Sequence, residues 1–465
     1  MENAQATAEV ARPSGVTTTT EHDLVGRVTS IVHAGGIPDG VDADAEASPA
    51  SEAPGNAFGH CNDAPGHDNQ QPTGCWTGEL SFAYDYEARG LVSERSVTTD
   101  EARSVTGYEH DALGRLTASV TGDYTATYGW DASSNLIAET VSDDVATNLA
   151  HGGWQVTRSV NAVNQVESIV TDVRLPQPHT TTQTLTYDER GNRTGSVTTT
   201  QSGGKTHTSA RIDYVFDGMD QVVEVHDHGA NLNNTKDDSV TTWTRDGLGR
   251  GLTVSENGDT RERVFDGTAM ILDGGTELVY GPDGRVLTET STSVEGKGKN
   301  AVTVTTSRDV LADVLGSAVS VATDGVVDAD LTWFGDFGDV LDASDTDTVT
   351  GFAGRVDTAG LTEFATRTYD PAARVWLQED SYAGTAVRAS SQNRYAYVEG
   401  APETHADFMG AYRAAQAYAS QQLSAVAYAV FMMKLSAELA RIDMVAAVDS
   451  HEQARFAALK TVNTG

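Results

Sequence analysis

The feature that most restricts this chain is a phrase that keeps returning along it. An aromatic residue is followed by Asp-x-x-Gly-Arg, and then by a stretch rich in Thr, Ser and Val. The clearest copy is Tyr108–Glu109–His110–Asp111–Ala112–Leu113–Gly114–Arg115–Leu116. Further copies are Tyr128–Gly129–Trp130–Asp131 (closing with Ser134–Asn135–Leu136), Tyr187–Asp188–Glu189–Arg190–Gly191–Asn192–Arg193, Tyr214–Val215–Phe216–Asp217 and Trp243–Thr244–Arg245–Asp246–Gly247–Leu248–Gly249–Arg250. Weaker copies begin at His22–Asp23, Tyr84–Asp85, Phe265–Asp266 and Tyr280–Gly281. The aspartates recur at steps of about 20 or 29 residues, and the longer gap between Asp131 and Asp188 has room for one degenerate copy. A step of that size is one supersecondary unit, and neighbouring units must stack to bury its apolar face.

One unit can be read residue by residue. Alternation such as Tyr-x-Tyr puts aromatics on one face of a strand. Asp-x-x-Gly is turn chemistry, because Asp accepts from backbone amides ahead of it and Gly adopts the positive φ that a tight hairpin needs. The β-formers after Arg resume a second strand. The expected fold is therefore all-β: an antiparallel β-hairpin repeat ribbon, which leaves exposed edges unless it winds on itself.

Charge narrows the partners. Sixty-seven acidic residues against 31 basic ones give a formal charge of −36. That field repels phosphate backbones and anionic headgroups, so nucleic acid and membrane surfaces are poor partners. The longest apolar run, Ala425 to Met433, falls far short of the ~20 residues of a membrane span. The first residues, MENAQATAEVARPSG, carry neither a basic nor an apolar signal region. Cys61 and Cys75 lie in a Gly/Pro/Asn/Asp/His-rich stretch, where one disulfide would stabilise by roughly 3 kcal/mol in the chain-entropy picture. Their spacing lacks the clustering of a zinc site even with His60 and His67 nearby, and no metal or other cofactor is expected.

The repeated phrase resembles the YD repeat of bacterial Rhs proteins, the C components of Tc toxins and the teneurin YD shell. The resemblance covers roughly residues 20–411 and implies hairpins spiralling into a hollow β-shell, complete or partial. Between 309 and 411 the chain looks like an Rhs repeat-associated core. Asp313–Val314–Leu315–Gly316–Ser317, Trp333–Phe334–Gly335–Asp336–Phe337–Gly338, Arg367–Thr368–Tyr369–Asp370–Pro371 and Asn393–Arg394–Tyr395–Ala396–Tyr397–Val398 match its phrases in order, the last as a strand. The expected organisation is a disordered stretch 1–19, repeats over 20–308 with a loop or insertion at 35–75, the core over 309–411, and a tail over 412–465. Beyond the core, glycine and proline vanish until the last residues, and the tail reads as helices over Arg413–Ala440 and Ser450–Lys460.

In many members of that family the core ends in D-P-x-G-L and cuts itself just after this motif, using an aspartyl pair supported by an arginine. The matching positions are Asp380, Asp407 and Arg367, and the implied scissile bond joins Ala411 to Tyr412. Two carboxylates sharing a site do not both ionise easily, so one can activate water while its neutral partner polarises the peptide carbonyl. This chain departs from the motif, with Phe408 in place of Pro and Ala411 in place of Leu. Pro fixes φ and helps present the bond, so its loss weakens the match. The plainer reading makes Asp380 and Asp407 ordinary turn aspartates and Arg367 a paired strand-end residue.

The tail shows no nuclease His/Asn set, no Cys/His/Glu set and no phosphate loop; His451 and Glu452 stand alone, as solvated helix residues would. Ser202–Gly203–Gly204–Lys205–Thr206 lacks the full phosphate-loop spacing and reads as a hairpin loop. The resemblance implies an encapsulating scaffold, the C-terminal part of a polymorphic-toxin or cell-wall-associated protein, secreted or at the cell surface. Its partners would be its own C-terminal segment or an encapsulated effector, with an upstream shell or secretion-system component. The alternative is a cell-surface adhesion or carbohydrate-binding scaffold without catalysis.

Overall fold

The computed structural model describes residues 6–35, 78–407 and 413–414, apart from 101, 123, 144–152, 175–176, 230–235, 282–283, 296–300, 329, 345–347, 382–383 and 385–388. The stretch holding Cys61 and Cys75 lies outside them, as do the Ala411–Tyr412 bond and residues 415–465. The chain is all-β. Strands from Ala6–Ala11 to Val326–Val327 form one 24-stranded sheet, each pairing antiparallel with its neighbour in sequence. No helix among the described residues is long and apolar enough to cross a membrane.

The hairpin ends show why the phrase repeats. At Asp111, Oδ1 accepts the backbone N–H groups of Leu113 (2.8 Å) and Arg115 (3.0 Å), while Oδ2 accepts Arg115 Nε at 2.7 Å. Gly114 sits at φ 83°, the left-handed position that closes the loop, and the ladder register shifts beside it. Asp23 with Arg27 and Asp246 with Arg250 repeat the arrangement. At Asp131 and Asp188 the second partner is Asn135 or Asn192. The degenerate copy expected between Asp131 and Asp188 is Asn161–Gln165, where Asn161 Oδ1 takes the amides of Val163 and Gln165. Two weak copies turn differently. At Tyr84–Asp85 the turn is set two residues later, from Glu87 to Leu91, and Asp266–Gly267 opens a tight hairpin pairing Asp266 with Ala269. Ser202–Lys205 is likewise a two-residue hairpin turn, with Gly203 and Gly204 at φ 57° and 75°.

The repeat aromatics Tyr84, Tyr108, Tyr128, Tyr214 and Trp243 are buried, each facing a core of valines and leucines. The arginine that closes a turn also reaches forward along the row. Arg115 lies 5.5 Å over the Trp130 ring and donates to the Asp131 carbonyl at 2.9 Å, and Arg250 lies 5.4 Å over Phe265. Successive hairpins are thus joined by cation–π contacts as well as by the ladder.

After Val327 the chain leaves the ribbon and packs back along its turns. Asn393 Nδ2 donates to the Ser134 carbonyl (3.0 Å) and to Asn135 Oδ1 (2.7 Å). Tyr395 OH donates to Gly191 O (2.8 Å) and accepts from Gln165 Nε2 (3.0 Å). Gln221 Nε2 donates to Thr366 O at 2.8 Å, and Thr404 Oγ1 accepts Val92 N–H at 2.9 Å. One segment therefore touches a series of turns. Buried ion pairs fix it. Arg193 Nη2 meets Asp370 Oδ2 at 2.6 Å, and Arg374 grips Glu139 with two bonds of 2.8 and 2.7 Å. Its own core is aromatic: Tyr369 stacks on Tyr397 at 4.5 Å, and Phe364 meets Trp376 edge-on at 4.9 Å.

Two local expectations fail here. The Asn393–Val398 phrase is not a strand; Ala396 makes a lone bridge to Val375, and Tyr397–Gly400 form a 3-10 turn with Val398 and Glu399 at positive φ. Burying both Tyr395 and Tyr397 in different pockets wins over strand alternation. Nor does a helix begin at Arg413, because Arg413 and Ala414 pair with Asp407 and Ala406.

The two ends of the ribbon meet. Arg12 Nη1 donates to Leu287 O (3.0 Å) and Val310 O (2.8 Å), and its Nε donates to Thr18 Oγ1 at 2.6 Å. Thr18 donates to His33 Nδ1 at 2.9 Å, and His33 Nε2–H donates to Ala312 O at 3.1 Å. This chain of bonds needs neutral His33. Burial, reinforced by the Arg12 charge, lowers its pKa from 6.5 to about 3. For Glu139, burial pushes upward, but the Arg374 and Arg158 guanidiniums prevail and hold it at about 2 against an ordinary 4.5. In both cases the unfolded chain binds the extra proton, so stability is complete above the unfolded pKa and drains as pH falls towards the folded one. These two groups should make urea midpoints fall between pH 6.5 and 3, while Asp357, raised by burial to about 6, pulls the other way between about 6 and 4. His33→Gln should flatten the part above about pH 5, where Glu139 stays ionised in both states.

Candidate functional site

Arg367 precedes the strand Thr368–Asp370, and that strand is held to the following chain on both sides. Leu377 N–H donates to Thr368 O (2.9 Å), and Thr368 N–H donates to Gln378 Oε1 (2.8 Å). Asp380 follows directly. Its amide donates to Arg394 O at 3.0 Å, and Arg394 Nε returns a bond to Asp380 O at 2.6 Å. Arg394 O also accepts Arg367 Nη1 at 3.1 Å, so one carbonyl ties together the chain segments of Arg367 and Asp380. Asp407 arrives on the short strand Ala406–Asp407.

The three expected residues come together. Arg367 Nη2 lies 2.9 Å from Asp380 Oδ2 and 3.4 Å from Asp407 Oδ2. Arg367 and Asp407 are buried, at 5% and 4% exposure, and the guanidinium carbon sits 4.0 Å over the Trp376 ring. Burial pulls the Arg367 pKa below its ordinary value, against the opposing pull of Asp380 and Asp407. The remaining pair of expected residues is reached only by its flanks. Asp407 pairs with Arg413, so residues 408–412, with Ala411 and Tyr412 among them, connect the two halves of one short antiparallel pair.

Two neighbours escaped the sequence reading. Half-buried Arg355 feels the Asp407 charge, which opposes the downward push of desolvation on its pKa. Burial drives the Tyr397 hydroxyl upward, and the negative Asp407 adds to it. Arg355 had a legible signal: Gly351 to Arg355 is another turn closing on Gly-Arg, with Gly354 at φ 65°. Tyr397 had none, since its phrase read as a strand.

Chemically, a cation shared by two carboxylates in a water-poor setting can serve either as a structural ion cluster or as an aspartyl pair. Among solved structures, the chain is similar to a TcdB2-TccC3 complex, with 15% identity over 84% of this chain and 24% of that one and a TM-score of 0.33. It is similar too to a variant Tc holotoxin pore of Photorhabdus luminescens, with 14% identity over 85% and 24% and a TM-score of 0.30. A porin-like protein from Bacteroides uniformis matches with 11% identity over 42% and 86% and a TM-score of 0.24. The chain thus spans about a quarter of the length of the Tc complexes it matches. No protein-family model and no curated protein sequence matches it.

Removing the shared cation takes one buried partner from both carboxylates in a poorly hydrated site. Arg367→Met should therefore cost about 3–5 kcal/mol of unfolding free energy by urea titration. Adding Asp407→Asn to that variant should restore part of the loss.

Proposed function

We propose that the chain is a β-shell scaffold of the Rhs type whose segment 309–411 closes the row of hairpin turns and cuts the chain after Ala411. The single observation that carries this reading is the contact of one Arg367 nitrogen with both Asp380 and Asp407. It is supported by the pairing of Asp407 with Arg413, which keeps the chain on both sides of the proposed bond beside the carboxylates. The packing of Thr366, Asn393, Tyr395 and Thr404 against successive turns suits a segment that seals an enclosure.

The proposed reaction is hydrolysis. The ionised carboxylate takes a proton from water as the water oxygen adds to the Ala411 carbonyl carbon, and the protonated one donates to the carbonyl oxygen. Collapse of the tetrahedral intermediate breaks the C–N bond, the Tyr412 amine takes up a proton, and Ala411 keeps a carboxylate. One water is consumed and the pair returns to its starting protonation. Arg367 positions both carboxylates. The cargo would be the chain's own C-terminal segment or an effector joined to it.

The second reading is a scaffold for adhesion or carbohydrate binding without catalysis. What favours it is Arg355 beside Asp407. The charges of Arg355 and Arg367 both act on Asp407, as they would in a structural ion cluster.

Intact mass of the purified chain, beside Asp380→Asn and Asp407→Asn, separates the two. Self-cleavage predicts loss of residues 412–465 from the wild type and full-length mass for both variants. An uncut wild type, or cutting that survives both substitutions, would leave only the scaffold.

A further inference from the structure

Among the described residues, two imidazoles and a carboxylate converge at one place away from the Arg367 cluster. His226 is on the strand Val222–Asp227, His228 follows it, and Asp238 precedes the strand Ser239–Arg245. The pattern His-Asp-His in extended chain sends both imidazoles to one face, opposite buried Val225. Register supplies the rest. Asp227 pairs with Ser239, which brings Asp238 across from His228, and Asp213 on the preceding strand pairs with His226.

The distances suit a metal site as well as a hydrogen-bonded cluster. The two rings stack with centroids 3.9 Å apart and 27° between planes. His226 Nε2 lies 3.4 Å and His228 Nδ1 3.9 Å from the same oxygen, Asp238 Oδ2. Both exceed the ~2.7–3.2 Å of a good hydrogen bond. They are close to the roughly 3.3 Å edge of a tetrahedron whose ligands stand ~2.0–2.1 Å from zinc. Ligand atoms of His226, His228 and Asp238 all fall within 4.8 Å of one another.

A fourth residue argues independently. His228 turns its other nitrogen, Nε2, to Asp213 Oδ2 at 2.8 Å, a proper hydrogen bond. This is the carboxylate–histidine relay that fixes the ring and raises the basicity of the nitrogen aimed at a metal. Asp213 is in turn braced by Arg211, with contacts of 3.2, 3.1 and 2.9 Å.

We propose that His226 Nε2, His228 Nδ1 and Asp238 Oδ2 bind one zinc-type divalent cation, with Asp213 orienting His228. Two imidazoles and a carboxylate suit zinc or its neighbours rather than calcium or magnesium. Three protein ligands leave a fourth position for water or an incoming donor group. The ion would clamp two neighbouring strands of the ribbon across the connection between them.

The test is titration of the full chain with Co²⁺ alone, read by visible absorption and followed by displacement with Zn²⁺. One saturable equivalent with d–d bands and no thiolate charge-transfer band is expected. His226→Gln and Asp238→Asn should each weaken binding at least about 100-fold, and Asp213→Asn about 10–100-fold. All three positions are part-exposed, and far-UV circular dichroism checks that each variant keeps its β signal. His228→Gln replaces any variant that loses it. Absence of a saturable band, a band unchanged in these variants, or a thiolate signature pointing to Cys61 and Cys75 would overturn the assignment.

Discussion

In the hairpins that carry the full phrase, one carboxylate holds the turn and its register. In the copies at Asp23, Asp111 and Asp246, one oxygen takes two backbone amides while the other takes the arginine that closes the loop. Burial pushes these acids upward, yet the amides and the arginine outweigh it and hold them below the ordinary aspartate range. Everything else builds on that turn. It sets the bulge that offsets the two strands, and with it which side chains of each strand face inward. It also aims the arginine at the next hairpin.

A row of related turns forms a surface of backbone carbonyls and amide side chains along the ribbon. The segment after Val327 uses that surface, binding turn after turn through Asn393, Tyr395 and Thr404. Such contacts span more than two hundred residues of sequence, so they belong to the non-local pairings that slow folding. The buried Arg374–Glu139 and Arg193–Asp370 pairs then add specificity: a misplaced segment would break both, leaving Arg193 and Asp370 without each other and Glu139 with Arg158 alone.

Much of this was legible in the residues. Asp-x-x-Gly-Arg reports local geometry, because the bonds of its aspartate lie within five residues, and so the hairpins and their order follow from reading alone. Even the Asn161 copy was anticipated by spacing. Arg367, Asp380 and Asp407 were found through a resemblance in their surrounding phrases, and they meet in the fold. What resisted reading depends on packing between distant segments. Tyr395 and Tyr397 alternate like a strand, yet the first reaches Gly191 and the second stacks on Tyr369. Arg355 gains its place beside Asp407 only once the segment is seated. The His226–His228–Asp238 cluster needed strand register, since Asp238 comes from the neighbouring strand and no compact spacing announces it.

The account stands most directly on the turn carboxylate, and urea unfolding of Asp111→Ala beside Asp111→Asn measures it. Ala removes the one acceptor of both amides and the arginine partner, and should cost about 1–3 kcal/mol. Asn keeps an oxygen for the two amides, as Asn161 does in its own turn, and should cost clearly less. Equal losses for the two variants, or a loss under about 0.5 kcal/mol for Ala, would contradict the claim that this carboxylate organises the ribbon.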